Sequence, residues 1–261
     1  MRKRTMAKNE VVETKTNAVA AATPLVQVDP ADIMIPFLKV IQSLADEVTP
    51  GKDKYNENVR PGDIYDSVTK TAFKEADVIV CGLRKYYAEW TPEVRGQLVG
   101  KHKADSKIVT TAEKVEKVSD KGKPYFTLKT LAGNDLIETY GVAMLVKNPS
   151  GFCYPAVLTL SKTSYIVGKQ LSAQIMMLQQ QGGIPVFTLR AQTVSNSKGS
   201  WFKPDFTPKG AETDENVLRM AHQLAENAEA ILFNVAAETG NDANDSSDVE
   251  TIEAVDVNEV F

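Results

Sequence analysis

Closely spaced turn signals divide the middle of the chain into short β-rich segments, and this pattern limits the possible folds more than any other feature. Turns such as Gly133-Asn134-Asp135 separate runs that are rich in β-branched and aromatic residues. Seven strands are predicted, at 76–90, 114–118, 125–131, 136–146, 152–160, 186–194 and 200–206. We therefore expect a mainly β protein whose consecutive strands pair antiparallel.

Two segments change from strand to helical spacing. Between 163 and 181 apolar residues recur every three or four positions, and Gly182-Gly183 ends the predicted helix. A second helix is predicted over 214–237, with its apolar stripe at Val217, Met220, Leu224, Ile231 and Val235. A third, short amphipathic helix is predicted from Pro36, with Phe37, Val40, Ile41, Leu44 and Val48 on one face. The segment 91–112 is predicted to be a loop.

The order of these elements is several hairpins, one helix and a closing hairpin. An OB fold has this order, because a helix lies between its third and fourth strands. We predict an OB-fold-like, five- to six-stranded antiparallel barrel with an internal helix and a C-terminal helix. A mixed α+β fold with a six-stranded sheet would give the same order. The stripe of the C-terminal helix could seal the barrel or pair with a second subunit in a homo-oligomer, and we favour sealing.

The net charge of −4 hides an uneven distribution along the 261 residues. Residues 1–59 are neutral, residues 60–209 carry +8 and residues 210–261 carry −12. We predict a mobile N-terminal arm at 1–30, one nucleic-acid-binding domain at 31–238 and a disordered acidic tail at 239–261. A basic body with an acidic tail indicates a polyanionic partner.

Several classes of function lack support in the sequence. There is no phosphate-binding loop, no dinucleotide-binding glycine motif and no nucleophile elbow. Two histidines and two cysteines, Cys81 and Cys153, offer little for a metal site, and we expect both cysteines to be buried. We expect no cofactor and no catalysis. Without a long apolar run or a secretory signal, we expect no membrane partner and a cytoplasmic location, in the host cytoplasm if the protein is viral.

Aromatic residues alternate with cations in the basic body, as single-stranded nucleic acid requires. Lysine and arginine neutralise phosphates, while flat rings stack on unpaired bases. Because Tyr86 and Tyr87 point to opposite faces of a strand, at most one of them can stack. We predict that single-stranded DNA is bound by the cations Arg84, Lys85, Lys123, Lys198 and Lys203 and by the rings of Tyr86, Tyr125 and Trp201.

The acidic tail ends on an aromatic residue. Asp256, Glu259, Val260 and Phe261 combine carboxylates with one large apolar side chain. A basic pocket with an apolar floor on another protein can bind all of these groups. The tail can also occupy the basic groove of its own chain and compete with nucleic acid. A purely solubilising tail is the alternative.

With these residues, the chain resembles the single-stranded DNA-binding proteins of bacteriophages and bacteria. Those proteins combine an OB barrel with an acidic tail that ends in Phe. The segments 35–43, 60–64 and 196–202 are also similar to proteins of phage replication modules. The tail departs from that family by being less densely acidic and richer in valine. The resemblance implies a protein that coats single-stranded DNA and recruits replication or recombination proteins through Phe261.

Two other classes of function fit the same sequence. One is a non-enzymatic interaction or assembly protein whose acidic tail mimics nucleic acid or occupies a basic site on a partner. The other is an enzyme whose active site carries no recognisable motif. Titration with single-stranded DNA separates the first interpretation from both alternatives.

Overall fold

In the computed structural model, turn-separated strands form one large curled sheet. The structure describes residues 34–93, 96–118, 122, 124–148, 152–180, 182–196 and 199–234. Within these residues eleven strands join the sheet: β1 (Phe37–Val40), β2 (Ile64–Asp66), β3 (Ala72–Phe73), β4 (Glu75–Trp90), β5 (Leu98–His102), β6 (Glu113–Val118), β7 (Pro124–Lys129), β8 (Asp135–Lys147), β9 (Cys153–Ser161), β10 (Pro185–Asn196) and β11 (Gly199–Ala211).

The helices of the described residues are α1 (Lys107–Thr110), α2 (Tyr165–Gln179) and α3 (Glu215–Asn234). Short 3₁₀ turns span Asp46–Val48 and Lys162–Ser164. A mainly β fold with helices is thus confirmed. The helix that was predicted over 163–181 is α2, and the helix that was predicted over 214–237 is α3.

The five long strands follow a Greek-key order. The sheet runs β11-β10-β4-β8-β9, so β10 returns to the side of β4 after α2. The strands β4, β8 and β9 are antiparallel neighbours, and a fourth strand that returns beside the first of three defines a Greek key. The short strands β1, β2 and β3 extend the sheet beyond β9, while β5, β6 and β7 extend it at the opposite end of β4 and β8.

The sheet is larger than the predicted five- to six-stranded barrel, and its pairs are not all antiparallel. Eleven strands join it within the described residues, and β1 pairs parallel with β9. Of the additional strands, β1 comes from a segment that was predicted as helix and β5 from one that was predicted as loop, whereas no element was predicted at β2 and β3. Their apolar residues are too few for a clear period-2 pattern, so sequence spacing alone does not reveal them.

The helix that was predicted from Pro36 is wrong. Residues Phe37–Val40 form β1, which lies between β9 and β2. Leu38 and Ile41 are buried, whereas Leu44, expected on the same apolar face, is exposed. Pairing on both edges therefore outweighs the helical spacing of these residues. The predicted loop at 91–112 is also partly wrong, because it contains β5 and α1.

Both faces of β8 are covered, which explains its unbroken apolar sequence. Val142, Met144 and Val146 lie in the core with α2. Ala143 and Leu145 lie on the opposite face, against α3. The buried residues of α3 recur every three or four positions, at Val217, Ala221, Leu224, Ala228 and Leu232. Helix α3 therefore covers this face of the sheet; of the predicted stripe, Val217 and Leu224 are buried, Met220 and Ile231 are partly buried, and Val235 lies outside the described residues.

Candidate nucleic-acid interface

A groove of about 530 Å³ opens on the curled sheet and is lined by both tryptophans of the chain. Trp90 ends β4 and pairs with Asp135 of β8. Trp201 lies on β11 opposite Val194, and its indole Nε1 is buried without a hydrogen-bond partner among the described residues. Strands far apart in sequence thus bring two large, partly buried rings to one groove.

Three lysines from different elements line the same groove, at Lys39, Lys101 and Lys162. Lys39 forms an ion pair of 2.7 Å with buried Glu47. Lys101 donates a hydrogen bond of 2.8 Å to the Leu232 carbonyl, and burial lowers the pKa of its ammonium group. Lys101 and Lys162 thus bring cations to the groove beside its aromatic rings, whereas the charge of Lys39 is balanced by Glu47.

Lys162 has an unusual backbone at the edge of the groove. Its backbone φ of 49° lies in the left-handed region, which residues other than glycine rarely adopt. It begins the 3₁₀ turn that leads into α2, and its side chain is exposed.

Two carboxylates, Glu93 and Asp135, also line the groove, and Asp135 is paired with Lys129 at 2.9 Å.

A glutamine side chain connects the two sides of the groove. The Gln42 side-chain amide donates to the Phe202 carbonyl at 2.8 Å and accepts from the Phe202 N–H at 3.0 Å. Gln42 follows β1, whereas Phe202 lies on β11, and no strand pairing joins β1 to β11 within the described residues. We call this pair of hydrogen bonds the Gln42 clasp. It holds the curled sheet together where backbone pairing stops.

The structure places the predicted cations Arg84 and Lys85 on opposite faces of β4. Arg84 is exposed on the side of α3, where it interacts electrostatically with Glu229. Lys85 pairs with Glu138 of β8 at 2.6 Å. Neither of the two lines the groove, so they do not form one site with Trp201.

The prediction that Tyr86 stacks on bases is wrong for this structure. Its side chain is only 2% exposed, and its ring packs 5.8 Å from that of Phe233. Burial raises the pKa of its phenol. Tyr86 borders the groove as part of its wall, beneath Lys101, whose ammonium group lies 5.5 Å from the ring centroid. Tyr87 is the partly exposed member of the pair, so the predicted opposite orientation of the two rings is confirmed.

Tyr125 and Lys203 lie on two hairpins. Tyr125 belongs to the β6–β7 hairpin, which pairs with β8 only through Leu128 and Lys129. Lys203 lies on β11, two residues from Trp201 and partly exposed. The predicted DNA contacts Lys123 and Lys198 and the tail residues Asp256, Glu259, Val260 and Phe261 lie outside the described residues.

Sequence reasoning missed several residues of this surface. Lys39, Lys101 and Lys162 line the groove although no local motif marks them, and Trp90 lines it as well. Phe126 is 64% exposed on the β6–β7 hairpin, beside the predicted Tyr125. The only available signal was the dense aromatic end of β4, which contains Trp90.

The cysteines have little thiolate character. Cys153 is buried, and Cys81 lies within β4, where burial raises its pKa to about 12. Among the described residues no group of three or more His, Cys, Asp or Glu side chains is arranged to hold a metal ion. In the same part of the chain, no helix has the length and apolar character needed to cross a membrane.

Fold and groove define a mainly β protein, built on a curled Greek-key sheet with helices on both faces and an open aromatic groove. The chain belongs to the Pam3 phage gp34-like protein family, whose model matches residues 5–231. This membership agrees with the resemblance to phage proteins. No curated protein and no solved structure matches the chain.

Proposed function

We propose that this protein binds and coats single-stranded DNA, without catalysis, during phage DNA replication or recombination. The observation that carries the proposal is the groove that contains both tryptophans together with Lys39, Lys101 and Lys162. Rings that stack on unpaired bases and cations that neutralise phosphates are the two components of such sites. The exposed Phe126 offers a further ring on the β6–β7 hairpin.

The topology supports a barrel related to the OB fold. Helix α2 lies between the third and fourth of the five long strands, which is the position of the helix in an OB barrel. The Gln42 clasp joins β1 to β11, so the curled sheet approaches closure with a partly open side. A partly open Greek-key barrel is the type of sheet that OB folds use to bind oligonucleotides.

We further propose that the acidic tail recruits replication or recombination proteins. Support comes from the charge of −12 on residues 210–261 and from the terminal Phe261, which resemble the tails of phage and bacterial single-stranded DNA-binding proteins. A basic pocket on the partner would bind the carboxylates, and its apolar floor would bind the Phe261 ring.

Intrinsic fluorescence tests the proposal directly, because the chain contains two tryptophans and both line the groove. Titration with oligo-dT should quench this fluorescence, and the affinity should fall steeply as salt increases. Duplex DNA of equal length is the control and should quench less. The variant Trp201→Phe, with Trp90 as its single tryptophan and with excitation selective for tryptophan, then shows which ring reports the binding.

Absence of binding at low salt would overturn the proposal, provided that it is seen for both the full chain and a chain that ends at Gly240. The second protein is needed because the tail can mask the groove. Binding that is equal for duplex and single strands would also contradict it. Absence of binding would favour the acidic-mimic interpretation, whereas equal binding would indicate a protein that does not distinguish single strands from duplex DNA.

A further inference from the structure

A second cluster of rings and cations lies on the face of β4 and β8 that is opposite Tyr86. It surrounds one carboxylate where these strands meet the start of α2. We call it the tyrosine patch, and its members are Lys85, Tyr87, Glu138, Tyr140, Tyr165 and Lys169. All six are partly or fully exposed.

Glu138 is the centre of the tyrosine patch. Its Oε1 accepts a hydrogen bond of 2.8 Å from the Tyr87 hydroxyl and lies 2.6 Å from the Lys85 ammonium group. The neighbouring Tyr165 hydroxyl also lowers the pKa of the Glu138 carboxyl. Burial alone would raise the pKa of Glu138, but these donors outweigh burial and lower it. The Glu138 carboxylate is therefore charged and neutralises the ammonium group of Lys85.

The rings of the patch are held in fixed positions. Tyr140 and Tyr165 have centroids 5.0 Å apart, and the Tyr140 ring lies against Gly168, where a Cβ atom would come within 2.4 Å of it. Lys169 lies over the Tyr165 ring at 5.3 Å, and Lys85 lies over the Tyr87 ring at 5.7 Å. Each ammonium group thus covers a ring face on which a base could stack.

The tyrosine patch is continuous with the groove along the chain. Residues 161–164 line the groove, and Tyr165 follows directly as the first residue of α2. Because the patch lies on the face of β4 opposite Tyr86, which borders the groove, the two surfaces are separate and are linked along the chain by this turn.

From this geometry we infer that the tyrosine patch is a second contact for single-stranded DNA, and that Glu138 competes with the DNA phosphate for Lys85. The inference rests on the proposed function. Bases stack on Tyr87 and Tyr165 while Lys85 and Lys169 move from the ring faces to neighbouring phosphates. Because a cation over an exposed ring is a weak contact, a stacking base can replace it.

Glu138→Gln gives the sharpest test, because it should tighten DNA binding. Glutamine keeps an acceptor for the tyrosine hydroxyls but releases Lys85 to neutralise one more phosphate. We expect several-fold higher affinity for oligo-dT and a salt dependence that is steeper by about 0.7 in log–log slope. A merely structural role for Glu138 would instead leave the affinity unchanged or lower it.

Asp77→Asn is the matched control. Asp77 holds Lys209 at 2.5 Å, so this variant has the same change in net charge and also releases one lysine, but away from the patch. Its affinity and salt slope should stay close to those of the parent. If Glu138→Gln binds no more tightly than Asp77→Asn, the inference is wrong.

The rings are tested with Tyr165→Phe and Tyr165→Leu. Phenylalanine keeps the stacking face and loses only the hydroxyl, so this variant should bind more tightly than the leucine variant. Leucine removes the ring and should weaken binding several-fold, and circular dichroism checks that both variants are folded. Equal affinity of the two variants would overturn the stacking role.

If the parent protein itself does not bind oligo-dT, the proposed function fails and this inference fails with it. If the parent protein binds oligo-dT but the patch variants have no effect, only this inference is rejected.

Discussion

At the scale of single residues, the approach of helix α3 to strand β4 depends on Gly82. A Cβ atom at Gly82 would lie 2.3 Å from the Cβ of Ala228. Real Cβ atoms are not found at such a distance, and neither atom belongs to a flexible side chain. The helix can therefore bury Leu232 and its other apolar residues on the sheet only with the two smallest residue types at this crossing.

We predict that Gly82→Ala destabilises the protein by about 1–3 kcal/mol, the usual range for overpacking a well-packed core. The helix would have to move away from β4 to make room for the added methyl group. Urea unfolding followed by circular dichroism measures the change in the free energy of unfolding.

The control is Gly100→Ala, on strand β5. Its added Cβ would come no closer than 3.4 Å, to the His102 ring. This variant should be close to neutral. A loss of stability at Gly100 equal to that at Gly82 would show that the cost comes from the backbone of strand glycines and not from the helix crossing.

Which side chains point inward was predictable only in part. Strand alternation predicts that Tyr86 and Tyr87 point to opposite faces of β4, and in the structure Tyr86 is buried while Tyr87 is partly exposed. Alternation cannot tell which face is covered, because that depends on α3, which lies about 130 residues further along the chain. The covered face turned out to be that of Tyr86.

At the scale of elements, the Gln42 clasp stands in for a missing strand pair. Its two hydrogen bonds to the Phe202 backbone have the same donor and acceptor pattern as a neighbouring strand would offer. The Phe202 ring also packs against Gly62, whose φ of 83° suits a glycine in a tight turn. The segment after β1 and the edge strand β11 are thus joined by side chains.

We predict that Gln42→Ala lowers the free energy of unfolding by about 1 kcal/mol, because the partly buried Phe202 backbone groups lose their partners. Amide hydrogen exchange should rise at 200–204, and the rise should be smaller elsewhere in the sheet. Urea unfolding and exchange measured by mass spectrometry test both effects.

Gln192→Ala is the matched control, since Gln192 is an exposed residue of β10. Its stability and its exchange at 200–204 should match those of the parent. Unchanged exchange at 200–204 in Gln42→Ala would contradict the view that the clasp holds β11 in place.

The long elements were predictable, whereas the short strands β1, β2, β3 and β5 were not. Strand β8 and helices α2 and α3 each have enough apolar residues to define a period. The segment that forms β1 has four residues, and its spacing fitted a helix equally well. Its conformation is decided by β9, a partner more than a hundred residues away, so no local pattern could reveal it.

At the scale of the whole molecule, the groove is assembled from residues that the sequence keeps far apart. Lys39, Trp90, Lys101, Lys162 and Trp201 come from β1, β4, β5, a 3₁₀ turn and β11. Sequence reasoning found Trp201 and the general pairing of rings with cations, but it could not assemble a groove that only the curl of the sheet creates. The charge distribution, by contrast, follows from the sequence alone.

That distribution leads to a prediction for the full chain, because residues 241–261 hold seven acidic residues and no basic one. We expect a chain that ends at Gly240 to bind oligo-dT more tightly than the full chain at low salt, since the tail competes with DNA for the same cations. The difference should narrow as salt screens the tail. Fluorescence titration at several salt concentrations measures both affinities. A full-length variant with its seven tail acids changed to Asn or Gln separates charge from length, and it should bind as tightly as the truncated chain. If truncation leaves the affinity unchanged at low salt, the tail does not compete with DNA, and recruitment of partners becomes its remaining proposed role.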